Sequence, residues 1–538
     1  MITIIKNEFK VYLILLLFAA FTLSSCEKFL DKTPDNRTEI NNEDKVGQLL
    51  ASAYPRASYA AMLNSRMDFV SDKGPGFQEN VSNSDAFFWR DITDVSQDTP
   101  EYFWNRCYFS IGEVNHALAA MENLPETSKL TSYRGEAQVI RAFSHFLLVS
   151  LYSKFYDING DNSSPGVPYV TEPEKNVIQK YSRSTVQEVW DKAEQDLIEG
   201  MAQLGSDAVY KVPVYHFSRK AAAAFASRFY LYKGDWNKVI EHASTVIPVP
   251  SVMTSNNNVA LLDPANVYCS QNFQPWLTNY ANYPSSNDIK KEYTIGTNPS
   301  NLLLTEMSSR MSRYANTWRY ATKKIDTDAT LSSAAGNPAG GVWAYRVFYS
   351  GDNYYVPKYQ ELFVRTSIAA TTGTIYTIFP YFRNEEILLN RAEAYAMTDQ
   401  LDKALADLNV FTRQRIKTYS ESTHILTANK LANFYSAAIS NEEHFLNKYN
   451  AFNSSSWSAE KKAIILCILD FRRNEFMWEG LRYWDLIRYK IPVTHTTFNG
   501  DENTLYPGDD RWVLQIPQTA SLSDLESNPR TNLLSKIW

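Results

Sequence analysis

Two stretches of this chain, 165 positions apart, carry one pattern. Ala221 to Ser244 reads AAAAFASRFYLYKGDWNKVIEHAS, and Glu385 to Asn409 reads EEILLNRAEAYAMTDQLDKALADLN. At that offset Tyr230 falls on Tyr395, Trp236 on Leu401, Lys238 on Lys403 and Ile240 on Leu405. Each stretch predicts a helix, a tight turn at Gly234-Asp235 or Asp399-Gln400, and a second helix. Alanines let the two helices approach closely, and an aromatic side chain closes each pair. Such a unit cannot bury its apolar face alone, so helical pairs must stack on one another.

These pairs resemble tetratricopeptide helix pairs, which implies a mostly α fold. Other helices follow from apolar residues recurring every three or four positions. In GEAQVIRAFSHFLLVSLYSKF, Ile140, Phe143, Leu147 and Leu151 share one stripe. Trp104, Tyr108 and Ile111 fall at helical spacing, which assigns Trp104 to the core. STVQEVWDKAEQDLIEGMAQL opens on Ser184 with Gln187 three residues on, a capping-box spacing. Between residues 245 and 380 the character changes to Asn-, Ser-, Pro- and Gly-rich segments with strand-like pieces such as VWAYRVFY. Long irregular segments in a helical scaffold are commonly functional. The expected architecture is a tetratricopeptide-like scaffold of helical pairs with a long irregular insert containing short strands. Its divisions are a signal peptide over 1–25, a helical region over 26–244, the insert over 245–380 and a second helical region over 381–538.

The N-terminal run VYLILLLFAAFTLSSCEKF is short for a bilayer-spanning helix, which needs roughly 20 apolar residues. A weakly basic start, a short apolar core and small residues at its end make a secretory signal peptide. Leu23-Ser24-Ser25-Cys26 resembles the bacterial lipobox, which implies acylation of Cys26 and anchorage on a membrane through several acyl chains. The chain is mildly acidic, with a net charge of −6 at pH 7, and so has no electrostatic basis for binding nucleic acid. Besides Cys26 only Cys107, Cys269 and Cys467 remain, too few for a disulfide framework. Cys467, in AIILCILDF, reads as a buried small hydrophobe.

In LDFRRNEFMWEGLRYWDLIRYK, Leu469 to Lys490, charges recur among large aromatics. Helical spacing allows pairs Asp470–Arg473, Glu479–Arg482 and Asp485–Arg488, and Gly480 breaks the helix in two. Arg472, Glu475, Glu479, Gly480, Arg482, Asp485, Leu486 and Arg488 resemble the C-terminal signature of the SusD/RagB family. CEKFLDKTP, the Arg-Ala-Phe helix at Arg141 to Phe143, and VLQIPQ followed by SNPRTN agree with it. FYDINGDNSSPGVPYV is longer than that family's usual turn, and NPRTN stands where the family often has Asn-Pro-Gly. The resemblance implies a surface-exposed, lipid-anchored outer-membrane protein that captures an oligosaccharide for a SusC-like TonB-dependent transporter. A peptide ligand, or a tetratricopeptide-like adaptor binding only protein, are the alternatives.

The charged signature reads as a structural ion-pair network, not an acid–base pair. No catalytic signature is present: no Gly-x-Ser-x-Gly, no Gly-rich phosphate loop, no His-Glu-x-x-His. None of the seven histidines lies within four residues of another, and His145 reads as a satisfied core histidine. Asp157 to Ser163, DINGDNS, starts like a calcium loop, but Asn162 and Pro168 stand where that loop needs Gly and Glu. A solvated turn is expected there, with no metal and no cofactor. The chain holds 12 Trp and 34 Tyr. Sugar rings stack on flat aromatics while amide and charged groups take their hydroxyls. Trp89, Arg90, Trp276, Tyr280, Tyr283, Trp318 and Trp343, in segments without a helical stripe, are the candidate ligand residues.

Overall fold

The computed structural model describes residues 40–174, 179–247, 286–322, 331, 333–345, 347–350 and 353–534. Cys26, Cys269, Trp276, Tyr280 and Tyr283 lie outside them. The chain enters through α1 (Glu43–Ser52), α2 (Tyr59–Asn64), β1 (Val70–Asp72) and α3 (Val81–Phe87). Three long helices follow, α4 (Pro100–Met121), α5 (Ser128–Tyr152) and α6 (Val186–Gln203), with α5 packed against both of the others. Helices α7 (Arg219–Lys233) and α8 (Trp236–Val246) form the first repeat. Then come α9 (Ser286–Thr294), β2 (Asn301–Met307), α10 (Met311–Asn316), β3 (Tyr320–Thr322), β4 (Phe348–Ser350), β5 (Asn353–Tyr355), β6 (Leu362–Arg365) and β7 (Gly373–Arg383). The second repeat is α11 (Asn384–Met397) and α12 (Leu401–Arg415). Short helices over 421–448 lead to α13 (Ala459–Glu475), α14 (Leu481–Arg488) and a hairpin of β8 (Val493–Thr496) and β9 (Glu502–Leu505).

The fold is mostly α, and the two repeats share their turn chemistry. Gly234 and Asp399 both take left-handed backbone, φ 78° and 59°. The next N–H closes each helix end, from Asp235 onto the Tyr230 carbonyl (3.0 Å) and from Gln400 onto that of Tyr395 (2.8 Å). Lys238 lies over the Tyr230 ring at 4.5 Å, and Lys403 over Tyr395 at 5.4 Å. Helices α8 and α11 touch, so the repeats pack side by side.

Close approach elsewhere depends on glycine. A Cβ on Gly135 of α5 would lie 2.6 Å from the Gly200 carbonyl oxygen of α6, and one on Gly200 would lie 2.7 Å from the Gly135 carbonyl oxygen. The capping box of α6 sits one residue later than Ser184 and Gln187. Thr185 is the N-cap and Glu188 its partner. Ser184 is occupied as an acceptor, its carbonyl taking the Gly166 N–H at 2.6 Å, which holds it outside the helix.

The described residues between 286 and 380 hold more regular structure than their composition suggests. Strands β2, β7 and β6 form an antiparallel sheet in that order, and β7 runs directly into α11. The Arg383 guanidinium at that junction donates to Asn301 Oδ1 (2.8 Å) and Glu385 Oε1 (2.9 Å). VWAYRVFY is not one strand. Trp343 makes an isolated bridge to Ile416, and pairing resumes only at Phe348 in β4. Among the described residues, no helix is long and apolar enough to cross a membrane.

Candidate ligand-binding site

The indoles named from sequence are buried wherever they are described. Trp89 is 1% exposed, lies parallel to His495 at 4.3 Å and donates its Nε1–H to the Arg66 carbonyl (3.3 Å). Trp318 is 4% exposed and meets Tyr314 edge-on at 4.1 Å. Trp343 is 2% exposed and sits against Phe471 (5.1 Å) and Tyr345 (5.7 Å). All three are scaffold and not ligand surface. An indole carries so much apolar area that folding buries it even in polar-looking loops. Arg90 is exposed, stacked over Phe88 at 4.7 Å and 3.8 Å from Asp85.

The C-terminal charges pair differently from helical spacing. Helix α13 ends at Glu475, and the chain turns through Trp478 and Gly480 with φ 73° and 80°. That turn separates Glu479 from Arg482. Glu479 accepts instead from Lys358 Nζ (2.6 Å) and the Tyr293 hydroxyl. Arg482 clasps Asp68 at 2.7 Å, and Arg473 approaches the same carboxylate at 3.6 Å. Asp470 accepts from the Tyr435 hydroxyl at 2.6 Å. Asp485 does meet Arg488 (2.8 Å), and it also takes Arg472 (2.9 Å), whose Nη1 donates to Asn390 (2.6 Å). Glu475 binds Arg415 (2.6 Å), and Arg488 binds Glu393 (2.6 Å). Except for Asp68, Asp470 and Arg473 these groups are almost fully buried. They join α11, α12, α13 and α14 to one another and to the insert through Lys358 and Tyr293.

His145 is fully buried. Its Nδ1 lies 2.9 Å from the Arg141 carbonyl and its Nε2 accepts the Val170 N–H at 3.0 Å. Both nitrogens are used only by the neutral ring with its proton on Nδ1, and burial pushes the pKa down to about 3. In DINGDNS, the Asn162 amide ties down the loop through Asp157 N–H (2.8 Å) and Asp157 carbonyl (3.0 Å). Among the described residues no group of three His, Cys, Asp or Glu could hold a metal.

A cavity of about 760 Å³ lies where the C-termini of α5, α7 and α14 meet. Half-buried rings line it: Phe155 and Tyr156 just after α5, then Tyr449 and Phe452. Buried rings brace them. Tyr156 rests on Trp190 (5.2 Å), Phe155 on Tyr232 (5.7 Å) and Phe452 on Tyr489 (5.2 Å). Exposed Asn159, Asn450 and Asn453 also line the cavity. Tyr232 is 2% exposed, and its hydroxyl has no partner among the described residues.

The backbone around this cavity is unusual. Asn450, Phe452, Asn453 and Lys490 have φ of 50°, 56°, 59° and 53°. Asparagine tolerates that region, whereas for bulky side chains it is a genuine outlier, costing roughly 1–2 kcal/mol per residue. Such conformations gather at ligand sites, where surrounding structure holds them. Rings at half exposure and exposed amides in one cavity suit a sugar, whose C–H faces stack while its hydroxyls hydrogen-bond. Sequence reasoning missed these residues because the rings come from segments almost 300 positions apart in the chain, 155–156 and 449–452. The available signal was length, since DINGDNS extends a turn.

Two family matches cover most of the chain. Residues 28–231 match a family described as starch-binding, associating with the outer membrane, and residues 248–517 match the SusD family. SusD-like protein P38 of Formosa agariphila is 27% identical over 257 residues, a match spanning 45% of this chain and 45% of that protein. Among solved structures, a putative sugar binding protein from Bacteroides vulgatus superposes with a TM-score of 0.62 at 18% identity, over 92% of this chain and 99% of that one. A SusD superfamily protein from Bacteroides fragilis gives 0.60 at 18% identity, over 91% and 98%. A laminarin binding SusD-like protein gives 0.55 at 16% identity, over 91% and 99%. At these identities the likeness is one of fold.

Proposed function

The chain belongs to the SusD family, and from that premise we propose that it is a surface glycan-binding lipoprotein of the outer membrane. It holds an oligosaccharide and passes it to a SusC-like TonB-dependent transporter, and it breaks no bond itself. Cys26 carries the lipid anchor. The observation that carries the reading is the cavity at Phe155, Tyr156, Tyr449 and Phe452, with four half-buried rings and three exposed asparagines around it. Its size lies within the roughly 300–1,000 Å³ usual for ligand sites. Trp276, Tyr280 and Tyr283 of the insert are the competing location.

Calorimetric titration against a panel of oligosaccharides tests this reading. Stacked aromatics at recognition sites cost about 2 kcal/mol or more on truncation. Tyr156→Ala, Tyr449→Ala or Phe452→Ala should therefore weaken a bound glycan roughly 30-fold, with circular dichroism unchanged. Loss on Trp276→Ala instead moves the site to the insert. Shortening of the glycan by the purified protein would replace binding with hydrolysis.

A further inference from the structure

The charges around the cavity are unequal in their freedom. Its lining includes Asp157, Asp509 and Asp510, and Lys154, Lys448, Arg488 and Lys490. All three carboxylates accept hydrogen bonds within the fold, and Asp509 is also paired with a cation. Asp509 is clasped by Arg511 at 2.8 and 2.6 Å and accepts the Leu534 N–H. Asp510 Oδ2 accepts the N–H groups of Thr531 (2.8 Å) and Asn532 (2.7 Å). Asp157 Oδ1 accepts the Asn159 N–H at 2.9 Å. Arg488 is likewise spent, on Glu393 and Asp485.

The lysines stand differently. Lys154 and Lys490 are exposed, and their ammonium groups have no hydrogen-bond or ion-pair partner among the described residues. Lys448 pairs with Glu443, which is 75% exposed, and lies over the Tyr449 ring at 5.9 Å. Lys490 also sits where its backbone disfavours it. It follows the end of α14 with φ 53°, and the next N–H, of Ile491, reaches back to the Leu486 carbonyl at 2.8 Å. That helix-closing position is usually glycine or asparagine. A cation after a helix C-terminus gains a little from the helix dipole, but that gain is read in stability and not in affinity.

We propose that this cavity takes an oligosaccharide bearing anionic groups, carboxylate or sulfate, and that Lys154, Lys448 and Lys490 select it while the four rings hold its sugar faces. The proposal rests on the glycan-binding reading of the same cavity. The selecting ammonium groups sit on the rim, in water, so each contributes modestly and additively and is screened by salt.

The test uses the full chain in detergent with three probes of equal length: a galacturonic acid tetramer, a sulfated galactan tetramer and neutral laminaritetraose. Calorimetric titration at low and high sodium chloride should show one or both acidic probes binding more tightly than laminaritetraose, and only their affinity falling with salt. Which acidic probe wins separates carboxylate from sulfate. Lys154→Gln and Lys490→Gly should each lower that affinity about fivefold and lower neutral binding by less. Lys490→Gly should at the same time keep or raise the melting temperature, because glycine relieves the left-handed backbone. Equal binding of neutral and acidic probes, indifferent to both lysine variants, overturns the anionic preference and leaves glycan binding standing. Binding of none of these probes or of any glycan in the wider panel overturns both.

Discussion

Arg472 and Arg482 belong to one sequence signature, yet their surroundings set different costs for losing them. Arg472 is fully buried against Asp485, itself fully buried, and also holds Asn390. Without Arg472 the buried carboxylates of Asp485 and Glu393 share Arg488 alone, and an uncompensated buried charge of this kind costs roughly 3–5 kcal/mol. Arg482 faces Asp68, which is 21% exposed and keeps Arg473 nearby. Arg472→Ala should therefore destabilise by about 3 kcal/mol and Arg482→Ala by about 1 kcal/mol in urea unfolding. The reverse order would refute this partition. His145 gives a pH prediction. Its folded pKa of about 3 lies below the ordinary 6.5, so the unfolded chain binds the extra proton. The contribution is fully present above pH 6.5 and falls by up to about 1.4 kcal/mol per pH unit toward pH 3. His145→Gln should be less acid-sensitive than the parent in denaturant titrations at pH 7.5 and 5. Identical slopes would show that the ring does not titrate this way.

At the scale of elements, contact geometry decides more than helix propensity. Gly135 and Gly200 are poor helix formers in helix interiors, yet they let α5 and α6 touch backbone to backbone. Gly200→Val should push the helices apart and cost upward of about 2 kcal/mol, with far-ultraviolet dichroism of the remaining fold largely retained. A variant as stable as the parent would mean that the helices yield at no cost. Gly480 is constrained twice. Its φ is 80°, and a Cβ there would lie 2.8 Å from the Tyr59 ring and 3.0 Å from the Ala60 Cα. The repeats were legible in sequence because each is local, and their turns at Gly234 and Asp399 align at the same offset as the aromatics. The capping box shifted by one residue because the Ser184 carbonyl is claimed by Gly166, a contact that local spacing does not encode.

For the whole molecule, the proposed anchor and the cavity make separable demands. If Cys26 carries the acyl chains, Cys26→Ala should yield a folded protein that binds its glycan normally but leaves the membrane fraction or persists as precursor. Palmitate labelling and retention in outer membranes by that variant would refute the anchor. The cavity itself draws on the turn after α5, the last turn of α7, residues 448–453, the end of α14 and residues 507–513. No window of sequence contains it.

That division runs through the protein. Sequence alone determined the mostly α character, the two helical pairs and the family resemblance, because these depend on periodicity and on residues close together in the chain. It also marked the C-terminal charges as a network, since isolated charges among large aromatics must be paired when buried. Only the tertiary structure decided the partners. Glu479 meets Lys358 and Arg482 meets Asp68 because the turn at Gly480 points them apart. It likewise decided which aromatics are available to a ligand. Trp89, Trp318 and Trp343 stand in polar-looking segments yet are buried, while Tyr156 and Phe452 remain half exposed. The physical reason is that burial is a property of a side chain's distant neighbours, whereas propensity and spacing belong to its near ones.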